Sequence, residues 1–230
     1  MSLNIVQQID DRVVVRNVLI SAWDKTGLDG LARNLAEINP GLKIYSTGGT
    51  FKALQMALGP DRAARNLAQV SSYTGQPEMQ GGLVKTLDFK IYLGLLSETY
   101  NPDHVRDLQR LQALAIDMVV VNLYPFASVI AEPGATPEQA RTHIDIGGPC
   151  MIRAAAKNFL RVAAVTQPGD YGTIVQELRD NGGAIGLQTR FELARKAFAH
   201  TAEYDRHIAG YLQKCAFEQV KGGYRCAAGG

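Results

Sequence analysis

A carboxylate, a glycine pair and a lysine share one short run, from Asp145-Ile146-Gly147-Gly148-Pro149 to Lys157-Asn158. Gly-Gly-Pro suits a tight turn, and the alanine-rich stretch after it is a good helix former. Asp145 is expected just before the helix, where unpaired N–H groups face anions, with Lys157 about three turns along it. A base and a cationic acid around an anion-friendly helix start make a unit for proton transfer. Asp-Gly-Gly also occurs simply as a turn, so the unit gains meaning only from its surroundings.

Those surroundings are polar clusters that follow apolar runs. Ser21-Ala22-Trp23-Asp24-Lys25-Thr26-Gly27 comes after Val18–Ile20, and Ser46-Thr47-Gly48-Gly49-Thr50 after Ile44–Tyr45. Lys85-Thr86 follows the pair Gly81-Gly82, and Asn122-Leu123-Tyr124 ends the run Met118–Val121. In an open parallel sheet, ligands bind beyond the carboxyl ends of the strands. At Thr47–Thr50, glycines let the backbone approach a ligand, hydroxyls donate, and a helix start supplies free N–H groups. That is a phosphate cradle in kind, outside the Walker pattern. Singly, each cluster also reads as a loop, a helix cap or a solvated lysine. Together on one sheet edge they favour a phosphorylated small molecule.

The elements that must position these groups alternate. Val18–Ser21, Lys43–Ser46, Met118–Asn122 and Val162–Val165 read as strands, and Ile91–Leu96 as a further buried strand. Leu28–Ile38, Phe51–Leu58, Asp103–Leu114 and Pro137–His143 read as helices. The pattern predicts a parallel sheet covered on both faces. Leu187–Leu212 reads as a helix pair packed on it, whereas residues 1–15 and 217–230 read as loose ends. A hydrophobic content of 46% with 20% charged residues supports an ordinary core, and a net charge of +2 gives no basic field for nucleic acid. No apolar run reaches membrane-spanning length and the start lacks a signal peptide's pattern. Three cysteines without metal-type spacing fit a reduced, cytoplasmic setting. The histidines form no ligand pair, and His143 reads as a helix-surface residue.

In their order, these segments resemble the IMP cyclohydrolase domain of the bifunctional enzyme that ends de novo purine synthesis. The carrying residues are Ser21–Gly27, Ser46–Thr50, Tyr73–Met79, Val84–Leu87, Val119–Phe126, Ile144–Asn158 and Lys196–Asp205. The resemblance covers about residues 16–213, with a sheet core to about 166, a helical extension over about 168–213, and tails at 1–15 and 214–230. It implies a methylglyoxal-synthase-like fold: a three-layer α/β/α domain with a central, mostly parallel sheet plus C-terminal helices. It also implies dehydrative closure of 5-formamido-imidazole-4-carboxamide ribotide to IMP, without metal or redox cofactor. By resemblance, Lys157 is the proton donor and acceptor, Asp145 assists at the carboxamide, and Lys85 and Tyr124 polarise the formamido group. Lys25, Thr47, Gly48, Gly49, Thr50 and Thr86 match ribose 5-phosphate positions. Asn122, Ile146 and Gly147 match base positions, and Ser21 and Asp24 join the substrate-binding set.

Departures from the family pattern cluster in one loop. Leu83 stands where an arginine is usual, and Asp88-Phe89-Lys90-Ile91-Tyr92-Leu93-Gly94 where His-Pro-Lys-Ile-His-Gly-Gly is typical. Trp23 replaces a small serine. The formyltransferase half has no counterpart within 230 residues, which implies a stand-alone cyclohydrolase with a separate formyltransferase partner, or an excised domain. Cys150 and the C-terminal helices offer apolar surface for a homodimer. Two other readings stay open: a non-catalytic purine-nucleotide-binding module, and a methylglyoxal-synthase-type lyase with Asp24 as its base.

Overall fold

The computed structural model describes residues 5–77, 85–98 and 100–225. Strand β1 (Arg12–Val14) leads into β2 (Asn17–Ala22), the middle strand of a five-stranded parallel sheet. On one side lie β3 (Lys43–Ser46) and then β4 (Leu67–Gln69); on the other lie β5 (Met118–Asn122) and then β6 (Ala163–Val165). The chain winds from β2 towards β3 and β4, and from β5 towards β6. The winding therefore reverses between the adjacent strands β2 and β5, which is where sheets of this kind form a ligand crevice.

The middles of the central strands, Val18–Ile20 and Met118–Val121, are apolar because both faces are covered. Val18, Ile20, Met118 and Val120 pack on one face with Leu28, Leu31 and Leu35 of helix α1 (Leu28–Ile38). Leu19, Val119 and Val121 pack on the other with Ile91, Leu95, Met151 and Ile152. Burial of successive residues on opposite faces is the pleat's period of two. In α1 the buried residues Leu28, Leu31, Ala32, Leu35 and Ala36 recur at helical spacing, giving one apolar stripe.

Helix α2 (Gly48–Asn66) starts at the second polar cluster and is broken at Gly59, whose φ of 71° precedes Pro60. The helix expected over Phe51–Leu58 ends at this break, and the chain continues helically to β4. Helices α3 (Val70–Thr74), α4 (Phe89–Leu96), α5 (Pro102–Arg110), α6 (Phe126–Ala131), α7 (Pro137–Thr142) and α8 (Gly147–Lys157) follow. After β6 come α9 (Tyr171–Asp180), β7 (Ala184–Gly186), α10 (Leu187–Lys214) and α11 (Phe217–Gly222).

Ile91–Leu96 is helical rather than the expected strand. Asp88 caps it by accepting the Lys90 N–H at 2.8 Å, and its buried residues Ile91, Gly94 and Leu95 share one helical face. A Cβ on Gly94 would run into the Leu114 backbone carbonyl, so the glycine sets this close packing. Residues 187–214 form one helix of 28 residues instead of a pair, its buried side chains running Arg190, Leu193, Ala194, Ala197, Thr201 and Tyr204. The ends are also more ordered than expected, since β1 pairs antiparallel with β7 and α11 follows α10. The cause at the N-terminal end is Arg190, fully buried, which donates to the carbonyls of Asp10, Asp11, Phe159, Leu160 and Ile185.

Candidate functional site

A cavity of about 450 Å³ opens at the carboxyl ends of β2 and β5. One wall is the start of α2. Gly48 has φ +53°, a left-handed conformation that favours glycine, and a Cβ there would stand 3.2 Å from the Lys85 ammonium. Thr47, Gly48 and Gly49 thus bring backbone and a cation together at a helix start. Thr50 latches this wall to the sheet: its hydroxyl donates to the Ala22 carbonyl at 2.9 Å and accepts the Ala22 N–H at 3.2 Å. With that hydroxyl committed, the wall presents the N–H groups of the helix start and, beside them, Lys85.

The facing wall is the start of α8. Asp145 is half-buried; its Oδ1 accepts the Gly148 N–H at 2.9 Å, and its own N–H donates to the Tyr204 hydroxyl at 2.7 Å. Burial pushes the Asp145 carboxyl above its ordinary value, with the Gly148 N–H opposing. Gly147 and Gly148 are needed for packing. A Cβ on Gly147 would lie 2.7 Å from the Thr86 hydroxyl, and one on Gly148 would strike Leu123 and the Asp145 carboxylate. Ile146, Gly147 and Thr86 therefore line the cavity beside Asp145.

Ser21, Lys25, Asn122 and Tyr124 complete the expected set around the cavity. Asn122 is tied down on both amide atoms: Oδ1 accepts the Asp24 N–H at 2.8 Å and Nδ2 donates to the Asp24 carbonyl at 2.9 Å. It fixes the loop after β2. Lys25 folds back onto the Trp23 carbonyl at 3.2 Å.

Two expected members stand apart. Asp24 does not line the cavity; hydrogen bonding from the Thr26 side chain, and then from the Thr26 N–H at 2.9 Å, holds its carboxyl below its ordinary value. Lys157 ends α8 on an exposed face, ten positions beyond Gly147, a helical rise of about 15 Å. A lysine side chain does not span that distance, so one chain does not pair Lys157 with Asp145.

Other residues outside the expected set join the wall. Trp23 and His143 both line the cavity, and each packs on Tyr124 with ring centroids 6.2 Å apart. His143 closes α7 and enters the wall through the turn to Asp145, which its reading as a helix-surface residue missed. In the altered loop, Leu83 and the Gly81-Gly82 pair lie outside the described residues, as does Met79. Leu87 lines the cavity, but Asp88 is buried as the cap of α4. Lys90 turns to the Tyr73 ring, 5.9 Å from its centre. The Tyr92 hydroxyl is buried, and its titration is pushed up by burial and by nearby Cys150 and Asp145.

A parallel sheet with a glycine-walled, cation-bearing cavity at its switch point defines an α/β domain with a candidate ligand site there. The chain belongs to the MGS-like domain family, whose model matches residues 27–150. Residues 155–227 match the model of the AICARFT/IMPCHase bienzyme. The bifunctional purine biosynthesis protein PurH of Neisseria meningitidis is 46% identical over 208 residues, covering 90% of this chain and 38% of the relative. PurH of Chlorobium phaeobacteroides is 46% identical over 199 residues, covering 86% and 37%. The chain thus spans less than two fifths of the length of these curated relatives. The crystal structure of ForH superposes with a TM-score of 0.72 at 29% identity, covering 85% of this chain and 97% of that one. The resemblance to the IMP cyclohydrolase domain, read from the motifs, is borne out at the level of family.

Proposed function

We propose that the protein is a cyclohydrolase that closes the second purine ring, converting 5-formamido-imidazole-4-carboxamide ribotide to IMP with loss of water. The observation that carries this reading is one cavity joining a glycine-walled anion site to a half-buried carboxylate at a second helix start. The ribotide phosphate is held by the N–H groups at the start of α2. The carboxamide nitrogen attacks the formyl carbon, forming the C–N bond as the carbonyl opens, while Asp145 takes a proton from that nitrogen. The formyl oxygen is protonated and leaves as water once the former formamido nitrogen loses its proton. Both reacting groups belong to one molecule, so holding a near-attack geometry supplies much of the rate.

Asp145 suits the base role because burial raises its affinity for a proton. Lys85 and Tyr124 stabilise charge on the formyl oxygen. Lys157, at the far end of α8, has no place in the proton path of a single chain.

Ring closure of the formylated ribotide, followed by absorbance, tests the reading. The purified protein is expected to exceed the spontaneous rate clearly, with Lys157→Ala within about threefold of the unaltered chain. No rate above the spontaneous one removes the proposal, and tight IMP binding without turnover points instead to a nucleotide-binding module. The lyase alternative gains no support, because the Asp24 carboxylate is engaged by Thr26.

A further inference from the structure

We propose that Trp23 determines specificity at this cavity: with Tyr124 it forms an aromatic rim that covers the planar base of a bound purine ribotide. The inference rests on the ribotide reading and deepens it by naming what recognises the base. Its origin is strand register. Ala22 at the end of β2 pairs with Asn122 at the end of β5, so Trp23 and Tyr124 leave adjacent strands side by side at the switch point. Their ring planes are tilted by 53°, and His143 meets Tyr124 edge-on at 75°.

Trp23 and Tyr124 are 50% and 49% exposed. Two large rings left half uncovered beside a polar cleft forgo burial that a flat ligand would restore. The backbone below them is nonetheless held. Asn122 clamps Asp24 through both its amide atoms, and the Asp24 carboxylate takes the Thr26 N–H. A platform whose backbone is already ordered loses little conformational freedom on binding, so most of the stacking energy reaches affinity. The phosphate site at Gly48 and Gly49, the start of α2, lies in the same cavity. A ligand anchored there by its phosphate directs its ring system to the rim, whereas a sugar phosphate without a base leaves the indole bare.

Trp23 is the only tryptophan of the chain, so its emission reports on the rim directly. The full chain is titrated with IMP and with ribose 5-phosphate, following tryptophan emission and binding heat in parallel. IMP is expected to change the emission, and ribose 5-phosphate to bind more weakly and leave it unchanged. Trp23→Ser should weaken IMP binding about tenfold and Trp23→Phe should recover most of it. Both variants should bind ribose 5-phosphate as the unaltered chain does. IMP binding by calorimetry with unchanged emission and no effect of Trp23→Ser overturns the rim alone. Absence of heat with either ligand overturns the ribotide reading and the rim with it.

Discussion

The two edges of the sheet use similar charged residues to opposite ends. At the amino edge a buried ion pair is enclosed by the fold. Arg161, 1% exposed, donates to Asp117 Oδ1 at 3.0 Å, to the Ser97 carbonyl at 2.9 Å and to the Gly94 carbonyl at 2.5 Å. The other Asp117 oxygen accepts the N–H groups of Arg16 and Asn17, both at 2.9 Å. At the carboxyl edge, Asp145 and Lys85 face a cavity of about 450 Å³. An ion pair with every partner supplied by the fold holds the starts of β2 and β5 and the turn before β6 together. A carboxylate and an ammonium instead line an open crevice.

Substitutions can break this contrast. The largest effect is expected for Arg161→Met, which strands a buried carboxylate and should destabilise the fold by about 3–5 kcal/mol. Urea denaturation measures it, and ring closure per folded molecule should not change. A loss under about 1 kcal/mol would show that the amino edge is not the stabilising one. Asp145→Asn comes next, lowering kcat for ring closure about a hundredfold. Its effect on stability runs the other way. Burial raises the folded-state value above the ordinary 3.8, so the native state keeps the proton longer than the unfolded chain does. Wild-type stability from this group is therefore lost as pH rises from about 4 through the folded value. The Asn variant lacks that loss, so its denaturation midpoint should gain on wild type between about pH 4 and pH 7. Gly48→Ala should be smallest, raising KM about tenfold at nearly constant kcat, from the left-handed backbone and the new methyl at the Lys85 ammonium.

The same contrast explains what was legible in the sequence. Strand ends and glycine pairs are local signals: Ser21, Thr47–Thr50, Asn122 and Tyr124 reach one cavity because parallel strands end together, and Lys85 and Asp145 join them from before α4 and before α8. Lys25, Thr86, Ile146 and Gly147 arrive with them. Lys157 lies apart from Asp145 in one chain because a helix turns twelve positions of sequence into length. Trp23 and His143 were visible as residue types, but their meeting on Tyr124 depends on the β2–β5 register and the turn after α7, which no local pattern encodes. The run Leu93-Gly94-Leu95-Leu96 is apolar enough for either a buried strand or a buried helix, and the Asp88 cap settles it as a helix. Three-residue strands such as β1, β4 and β7 are too short to show a period.

Arg190 carries a consequence for how the chain assembles. Its guanidinium binds a carbonyl 180 positions earlier, another 30 positions earlier and one only five away. Such a knot forms only after the long loops between its members have closed, so it belongs to the late stage of folding. Until then, the carbonyls of Asp10, Asp11, Phe159, Leu160 and Ile185 depend on water. A version of the chain ending before α10 would never leave that stage, and the ribbon of β1 and β7 would come apart at the opposite end of the sequence.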